Sequence, residues 1–318
     1  MLSIVIPLLN ENPSLAELHA EIAAAAERSH VEVEMIFVDD GSTDGSWDTI
    51  AGLGRQDGRV RGIRLRTNFG KAAALTAGFK AARGELVMTL DADLQDDPAE
   101  IPRFLDKIKS GLDVVSGWKQ KRHDPWHKVW PSRVFNWMVG ALTGVKLHDH
   151  NCGMKCYRAE VLREVRLYGE LHRFIPVLAD ARGFRVGEVP VHHRPRPYGR
   201  SKYGVRRFVK GFLDLMTVKF LTDFRHRPQH VLGSLGLVSF GIGALGLAYL
   251  LLTWLIRTSH PDWFEPLHQR PLLVYSAAAL LLGAQLLSIG LLAEMLTAYN
   301  LRDEDRYSVA DRVGDPPG

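Results

Sequence analysis

The chain has 318 residues, of which 46% are hydrophobic, and its 40 Lys and Arg residues slightly outnumber its 36 Asp and Glu residues. This length and composition exclude an intrinsically disordered chain, a disulfide-rich miniprotein and a collagen-like fibre. The mean hydropathy is close to zero, but two uncharged apolar runs, at residues 231–256 and 272–293, lie in the last third of the chain. The average therefore describes neither part of the molecule.

Strand-like and helix-like segments alternate over the first 120 residues. Predicted strands cover residues 2–7, 33–38, 60–65, 85–90 and 114–117, and predicted helices cover residues 13–29, 47–56, 71–82 and 98–110. Because the strands are nearly continuous apolar runs, the pattern predicts a parallel α/β sheet covered by helices on both faces. Ligands of such sheets bind at the carboxyl ends of the strands, where the polar clusters of this sequence lie.

A different pattern follows the alternating segments. Residues 121–204 are rich in Arg, His and Trp, and we predict that they are irregular. Residues 205–224 are spaced as an amphipathic helix with one apolar face, formed by Phe208, Phe212, Leu215, Met216 and Phe220. Such a helix lies on a membrane surface or packs against the preceding domain, and two membrane-spanning candidates follow it directly.

The two apolar runs are predicted to cross a membrane, because at ~1.5 Å per residue each is longer than the ~30 Å of a bilayer's hydrocarbon core. The alternative is a pair of buried core helices. Arg225 and Arg227 precede the first run and Arg302 and Arg306 follow the second, which predicts a multi-pass protein of the cell membrane with both termini in the cytoplasm. Gln285 and Glu294 are either helix–helix contacts or interface residues.

These segments predict four parts of the chain. Residues 1–204 form a cytosolic catalytic domain, residues 205–230 a juxtamembrane helix and linker, residues 231–299 two transmembrane helices with a short loop, and residues 300–318 a polar cytosolic tail. Cys152 and Cys156 are the only cysteines. They are too few for a structural zinc site, and we expect two reduced thiols.

The strongest chemical signal follows the fourth predicted strand, in the sequence Asp-Ala-Asp-Leu-Gln-Asp-Asp at residues 91–97. In an extended stretch Asp91, Asp93 and Gln95 point to one side, where they offer two carboxylates and an amide oxygen to one hard cation, Mg²⁺ or Mn²⁺. Four carboxylates within seven residues repel one another unless a cation is bound. The alternative is a solvated acidic turn.

A second acidic cluster, at residues 39–44, follows the second predicted strand. Its carboxylates can hold the base and ribose of a nucleotide, and a structural turn with a helix N-cap has the same pattern. The sequence has neither a Gly-x-Gly-x-x-Gly turn after a strand nor a phosphate loop with Gly-Lys-Ser/Thr, which argues against dinucleotide oxidoreductases and P-loop ATPases.

A basic cluster runs from Arg194 to Lys210 without an acidic residue. It is either a solvated or lipid-attracted surface, or a phosphate-binding loop in which Arg supplies bidentate geometry and Lys a point charge. No recognised nucleic-acid-binding module accompanies it, so we expect no nucleic-acid partner. A cation site, a nucleotide site and a basic site beside a membrane together fit transfer of a group from a soluble nucleotide to a lipid phosphate.

At these residues the chain resembles the family 2 glycosyltransferases with the GT-A fold, and within them the polyprenyl-phosphate glycosyltransferases related to dolichyl-phosphate mannose synthase. The matching motifs are Ile4-Val-Ile-Pro-Leu-Leu-Asn-Glu11, Val38-Asp-Asp-Gly-Ser-Thr-Asp-Gly45, Asn68-Phe-Gly-Lys71, Asp91-Ala-Asp-Leu-Gln95 and Arg196-Pro-Tyr-Gly-Arg-Ser-Lys202. They follow the family's order over residues 1–210. The two apolar runs resemble the membrane anchor of bacterial members.

The resemblance implies a role for each matching position. The nucleoside pocket would be lined by Pro7, Leu9, Glu11, Asp39 and Asp40, and Asp91, Asp93 and Gln95 would bind the cation and the donor diphosphate. The other implied substrate contacts are Asn68, Lys71, Ala92, Lys119, Ser132, Arg133, Asn136, Arg196, Arg200, Ser201 and Lys202. Lys119 stands where the family often has Arg, and Cys152 replaces a small hydroxylic residue.

The implied reaction is an inverting displacement at the anomeric carbon of a nucleoside-diphosphate sugar by the phosphate of undecaprenyl or dolichyl phosphate. Asp149 would orient the sugar or stabilise positive charge at the anomeric carbon, so the implied catalytic residues are Asp91, Asp93 and Asp149. UDP-glucose and GDP-mannose are both plausible donors, and the chain has apolar surface for a homo-oligomer. The alternatives are a processive polysaccharide synthase, whose Gln-x-x-Arg-Trp motif is missing, and a non-catalytic nucleotide-binding membrane scaffold.

Overall fold

One mixed sheet forms the centre of the amino-terminal part of the chain. The computed structural model describes residues 1–120, 126–165, 171–195, 206–223, 228–261 and 263–300. Within these residues the strands are β1 (Leu2–Leu8), β2 (Val33–Asp39), β3 (Val60–Arg64), β4 (Leu86–Thr89), β5 (Val114–Lys119), β6 (Lys155–Arg158) and β7 (Val186–Val191). They are arranged in the order β3-β2-β1-β4-β6-β5-β7.

The predicted parallel sheet is confirmed for most of these strands, with one exception. β1 pairs in parallel with β2 and β4, β2 with β3, and β5 with β7. β6 is antiparallel to both of its neighbours, β4 and β5. The reversal follows from where the chain enters β6. The loop before β6 lies at the carboxyl ends of the parallel strands, so β6 begins beside the end of β4 and runs in the opposite direction.

Helices cover both faces of the sheet, as predicted. They are α1 (Asn12–Arg28), α2 (Ser46–Gln56), α3 (Lys71–Ala81), α4 (Ile101–Lys109), α5 (Trp126–Thr143), α6 (Ala159–Glu164) and α7 (Ile175–Asp180). The largest core cluster joins α1 and α4 to one face of the sheet, where Leu15, Ile22 and Phe104 are buried. On the other face Ala74 and Leu75 of α3 pack against the central strands. The predicted helix at residues 98–110 begins as a 3-10 turn over Pro98–Glu100 before α4.

The prediction that residues 121–204 are irregular is wrong. Among the described residues of this region are α5, β6, α6, α7 and β7. The two strands are only four and six residues long, and α6 and α7 have six residues each. These four short elements carry too few residues to produce a recognisable hydrophobic period, whereas α5 is 18 residues long and its length does not explain why it is missed.

The predicted amphipathic helix is present as α8 (Arg206–Asp223). Its Leu215 and Val218 are fully buried in a cluster with Phe135 and Val139 of α5, so this side of the helix packs on the sheet-containing part of the chain. Phe212, Leu213 and Met216 are exposed. The helix therefore packs on the domain and also presents a second apolar surface.

The chain divides into two compact units, residues 1–219 and 220–318. In the second unit α9 (Pro228–Ser259) and α10 (Pro271–Asn300) pack against each other, and both are long and apolar enough to cross a membrane. Most of their large apolar side chains are exposed, which is unlike a pair of buried core helices. Glu294 accepts a hydrogen bond from the Gln229 amide at 3.2 Å and is thus a helix–helix contact, whereas Gln285 is exposed.

Candidate active site

The acidic motif lies at the carboxyl end of β4, where the strand gives way to a turn. Ala92 and Leu94 are buried, whereas Asp91, Asp93 and Gln95 are partly exposed. This is the alternation that the sequence suggests. The backbone is not extended throughout, however, because Leu94 has a φ of 60°. The three partly exposed polar side chains therefore lie on a tight turn and not on a straight strand.

The ionised Asp91 carboxylate contacts the positively charged side chain of Lys71. Its Oδ1 contacts the Nζ of Lys71, the first residue of α3. Burial raises the pKa of the Asp91 carboxyl, but the charge and hydrogen bond of Lys71 outweigh it and hold the pKa at about 2. A carboxylate that stays ionised at neutral pH is available as a ligand for a divalent cation.

The space for the Asp91 carboxylate depends on Gly153. A Cβ atom at residue 153 would lie 2.6 Å from the Asp91 carboxyl carbon, closer than real Cβ contacts come. The loop that carries Gly153 is held in turn by β4, because the Thr89 hydroxyl donates to the Gly153 carbonyl at 2.6 Å. The backbone of residue 153 thus forms a cradle for the carboxylate.

These residues suit a hard divalent cation. Mg²⁺ and Mn²⁺ prefer oxygen ligands, and Mg²⁺ sites commonly use one or two carboxylates and leave further positions to phosphate oxygens. Asp91, Asp93 and the amide of Gln95 supply such a set on one side of the turn. Within the described residues, no group of three or more His, Cys, Asp or Glu side chains is arranged to enclose a metal ion. Two carboxylates and one amide oxygen would leave coordination positions for phosphate oxygens.

The acidic turn accepts hydrogen bonds from α1 and from the segment after β7. The Ser14 hydroxyl of α1 donates to the Ala92 carbonyl at 2.6 Å. On the other side the Arg194 amide donates to the Gln95 carbonyl at 2.9 Å, and the Gln95 Nε2 lies 3.4 Å from the Nε2 of His193. Helix α1 and the segment after β7 thereby fix the turn that carries the proposed cation ligands.

Lys119 forms a buried ion pair at the end of β5. Its Nζ lies 3.1 Å from the Oδ1 of Asp96, which is 1% exposed. Burial lowers the pKa of Lys119, but the Asp96 carboxylate outweighs it and raises the pKa above the ordinary value, with help from Asp91 and Asp149. Lys119 is therefore a fixed positive charge close to the acidic turn.

The predicted nucleoside pocket lies at the carboxyl ends of β1 and β2. Pro7 and Asp39 are buried, and Leu9 and Glu11 are partly exposed. The Asp39 Oδ1 accepts a hydrogen bond from the Ser42 amide at 2.7 Å, and its Oδ2 lies 3.6 Å from the Nε of Arg64. The carboxylate of Asp39 thus fixes the turn that follows β2, and it is fully buried.

Both carboxylate oxygens of Asp40 accept hydrogen bonds from the turn that precedes α3. It accepts hydrogen bonds from the Phe69 amide at 2.8 Å and from the Gly70 amide at 2.9 Å. Asn68 is exposed, and its Oδ1 also accepts from the Gly70 amide, at 3.0 Å. These bonds fix the turn that begins α3 and so the position of Lys71.

Asp149 lies in the loop that carries Gly153, and it is 1% exposed. Its Oδ1 accepts from the Asn151 amide at 3.0 Å. The side chain of Asn136, on α5, donates to the His148 carbonyl at 2.8 Å and accepts from the His150 amide at 3.4 Å. Asn136 therefore holds the Asp149 loop.

The remaining predicted residues fall into two groups. On α5, Ser132 is partly exposed and Arg133 is exposed. The other group, Arg196, Arg200, Ser201 and Lys202, lies outside the described residues.

Three further residues of the site carry no recognisable signal in the sequence. Lys155 is 4% exposed, and its Nζ donates to the Cys152 carbonyl. His172 lies in a 3-10 turn that packs against α3, and burial and the charge of Lys71 lower its pKa to about 2. His193 is the neighbour of Gln95 described above. All three lie between residues 121 and 204, where the sequence shows no regular period.

Residues 3–166 match Glycosyl transferase family 2. The chain is 39% identical to a dodecaprenyl-phosphate galacturonate synthase of Rhizobium johnstonii over 95% of this chain and 89% of that protein. It is 35% identical to an undecaprenyl-phosphate 4-deoxy-4-formamido-L-arabinose transferase of Edwardsiella ictaluri over 98% of this chain and 94% of that protein.

Solved structures share the fold of the first unit. Glucosyl-3-phosphoglycerate synthase of Mycobacterium tuberculosis, in complex with Mn²⁺, uridine diphosphate and phosphoglyceric acid, superimposes with a TM-score of 0.56 at 17% identity. The match covers 70% of this chain and 78% of that one. The same protein in complex with Mg²⁺ and uridine diphosphate gives a TM-score of 0.54.

Proposed function

The chain belongs to glycosyl transferase family 2, and from that premise we propose that it transfers a sugar from a nucleoside diphosphate to a membrane polyprenyl monophosphate. The observation that carries this proposal is the likeness to two polyprenyl-phosphate sugar transferases, which extends over 95% and 98% of the chain. Matches this long include the helices α9 and α10 as well as the sheet.

We propose that Asp91, Asp93 and the amide oxygen of Gln95 hold one Mg²⁺ or Mn²⁺ ion. The support is the set of oxygen donors on one side of the acidic turn and the low pKa of Asp91. A divalent cation at this place neutralises charge on the diphosphate leaving group. Because Asp91 contacts Lys71, we propose that Lys71 shifts toward the diphosphate when a cation takes its place beside the carboxylate.

In the proposed reaction an oxygen of the polyprenyl phosphate forms a bond to the anomeric carbon while the bond to the nucleoside diphosphate breaks, with inversion. The second pKa of a phosphate monoester is about 6, so the acceptor is largely ionised at neutral pH and needs no strong base. The contribution of the chain is then positive charge that offsets repulsion between two anions. Lys119 lies beside the acidic turn but is paired with Asp96, so most of this positive charge is proposed to come from Arg196, Arg200 and Lys202.

Asp149 is proposed to act on the sugar from the loop beneath the acidic turn. Its burial and its Asn151 hydrogen bond hold the side chain in a defined position, from which it is proposed to orient the sugar or to stabilise positive charge at the anomeric carbon. The nucleoside pocket is proposed at Pro7, Leu9, Glu11 and Asp39, at the carboxyl ends of β1 and β2.

We propose a multi-pass protein of the cell membrane in which α9 and α10 cross the bilayer. The catalytic domain, predicted at residues 1–204, and both termini would lie in the cytoplasm. The exposed apolar surfaces of α9 and α10 support membrane insertion, and the basic residues that flank them support the orientation.

The test uses the purified full-length protein in nanodiscs that contain undecaprenyl phosphate. Radiolabelled nucleotide sugars are supplied singly with Mg²⁺ or Mn²⁺: galacturonate, 4-deoxy-4-formamido-arabinose, glucose and mannose donors. The proposal predicts label in a lipid that releases free sugar in mild acid, and loss of this label in the Asp93→Ala variant. Label in high-mass polymer would support a processive synthase instead, and absence of transfer from every donor, with nucleotide still bound, would support a scaffold.

A further inference from the structure

The segment after β7 pairs with the acidic turn. Asp96 and His193 form an isolated antiparallel bridge, and the Arg194 amide donates to the Gln95 carbonyl at 2.9 Å. Arg194 is itself fixed by ion pairs with Glu21 at 2.6 Å and with Asp97 at 2.7 Å. The backbone of Gln95 therefore has a defined position, and the direction of its side-chain amide depends on the contacts of the amide group.

The side chain of Gln95 faces His193. The Gln95 Nε2 lies 3.4 Å from the His193 Nε2, and His193 is only 5% exposed. A glutamine amide has a donating NH₂ at one end and an accepting oxygen at the other. When the NH₂ donates to an unprotonated imidazole nitrogen, the oxygen is directed away from the imidazole.

We propose that His193 is a positioning residue that holds the Gln95 amide so that its Oε1 faces the cation between Asp91 and Asp93. This inference rests on the cation site of the proposed function. The opposite orientation of the amide would direct NH₂ to the cation, and an NH₂ group cannot bind one. Groups that orient a metal ligand in this way commonly set metal affinity as strongly as some ligands do.

The alternative role for His193 is that of a direct ligand. The geometry argues against it, because the Nε2 of His193 lies 3.4 Å from the Nε2 of Gln95 and so faces the amide group. A ring nitrogen that accepts a hydrogen bond from Gln95 has no lone pair left for a metal ion. The two roles therefore differ in whether a nitrogen atom is bonded to the cation.

The experiment measures Mn²⁺ affinity of the full-length protein by electron paramagnetic resonance of free Mn²⁺, with Mn²⁺ as the only added ligand. The His193→Leu variant removes the hydrogen-bond acceptor and adds no polar group, and we expect Mn²⁺ to bind roughly tenfold more weakly. His193→Gln restores an acceptor oxygen and should recover most of the affinity. His192→Leu is the matched control, because the His192 side chain is exposed and its Nδ1 lies 3.9 Å from the Oδ2 of Asp97, away from Gln95 in its contacts.

Coupling to Gln95 distinguishes positioning from other effects. In a Gln95→Leu background, His193→Leu should change Mn²⁺ affinity by less than about twofold, since coupled residues are not additive. Equal losses in both backgrounds would overturn the inference, as would a ¹⁴N coupling to Mn²⁺ that disappears in His193→Leu. If the wild-type protein binds Mn²⁺ through Asp93 but His193→Leu binds equally well, only the inference fails. If Asp93→Ala leaves Mn²⁺ binding unchanged, the cation site itself fails.

Discussion

At the scale of single residues, two glycines determine how closely the loops approach the site. Gly153 makes room for the Asp91 carboxylate. A Cβ at Gly41, whose φ is 80°, would lie 2.8 Å from the Thr67 carbonyl carbon. Gly41 thus permits the Asp39–Asp40 turn to meet the turn before α3. Both positions concern the approach of backbone to a neighbouring loop, which no other residue type allows without a shift.

Gly153→Ala is expected to lower transfer by roughly 100-fold, because a displacement of about 1 Å at a reacting group costs that much. The new methyl group would displace the Asp91 carboxylate or the loop that carries Asp149. Steady-state transfer to undecaprenyl phosphate measures the effect, with thermal unfolding as a check that the variant is folded. Gly58→Ala is the matched control, because a Cβ there meets nothing within 4 Å. Activity within threefold of wild type would contradict the cradle.

Asp40→Asn is expected to destabilise the turn before α3 by about 1–3 kcal/mol, since one backbone amide would lose its acceptor. The Phe69 and Gly70 amides should then exchange hydrogen faster, which mass spectrometry of the peptide that spans residues 69–74 measures. The exposed Asp48→Asn is the control. Were Asp40 only a nucleotide contact, transfer would fall while exchange of this peptide stayed unchanged.

The sequence allows part of the site to be predicted at this scale. Asp91, Asp93 and Gln95 are neighbours in one short segment, so their shared side follows from local spacing alone. His193 and Gln95 are 98 residues apart, and Lys155 comes to the site through a strand that is too short to recognise. Contacts between distant segments depend on the packing of the whole sheet, which local patterns do not encode.

At the scale of elements, α8 shows how one helix serves two environments. Leu215 and Val218 are buried against α5, whereas Leu213 is 58% exposed. The two surfaces lie on different sides of the same helix, so the two roles considered from the sequence, packing on the domain and contact with a membrane, are compatible.

A spin label at Leu213→Cys is expected to be accessible to oxygen and protected from a water-soluble nickel complex in nanodiscs, because the exposed side of α8 would contact lipid. Labelling is selective, since Cys152 and Cys156 are buried and burial raises the pKa of each thiol to about 12. Power-saturation measurements give both accessibilities. Glu160→Cys, on the exposed side of α6, is the aqueous control, and equal nickel access at the two sites would refute lipid contact.

Element prediction succeeds for the alternating strands and helices of the first 120 residues and fails in the region that follows, where even the 18-residue helix α5 is missed. The five strands predicted from the sequence are present as β1 to β5 with small changes at their ends. β6 and β7 lie in the region predicted as irregular. The antiparallel direction of β6 is set by the return of the chain from the Asp149 loop, which is a property of topology and not of residue type.

At the scale of the whole molecule, the two units differ in what their surfaces contain. The first unit buries its apolar side chains around a sheet and concentrates charge at the carboxyl ends of the strands, whereas α9 and α10 expose theirs. The mean hydropathy near zero averages the more polar residues of the first unit with the apolar residues of α9 and α10. The described histidines with shifted pKa values, His150 and His172, both lie in the first unit.

The free energy of unfolding is expected to fall as the pH is lowered from about 6.5 to 4. Burial lowers the pKa of His150 from 6.5 to about 4, and that of His172 is lowered further, to about 2. Between pH 6.5 and 4 the unfolded chain binds a proton at each histidine while the folded chain does not, so acid favours unfolding. For His150 the full effect is about 3 kcal/mol at pH 4. Carboxylates such as Asp91 contribute a separate loss below about pH 4, because its pKa is lowered from 3.8 to about 2.

Urea unfolding in detergent, followed by intrinsic fluorescence at several pH values, measures this slope. A His150→Gln variant should keep less of the decline between pH 6.5 and 4, and a double variant with His172→Gln should be nearly flat there, while both retain the loss below pH 4. His268→Gln is the matched control, because His268 is exposed in the loop between α9 and α10 and should leave the slope unchanged. A decline that is identical in wild type and the double variant would mean that groups other than these two histidines take up the protons.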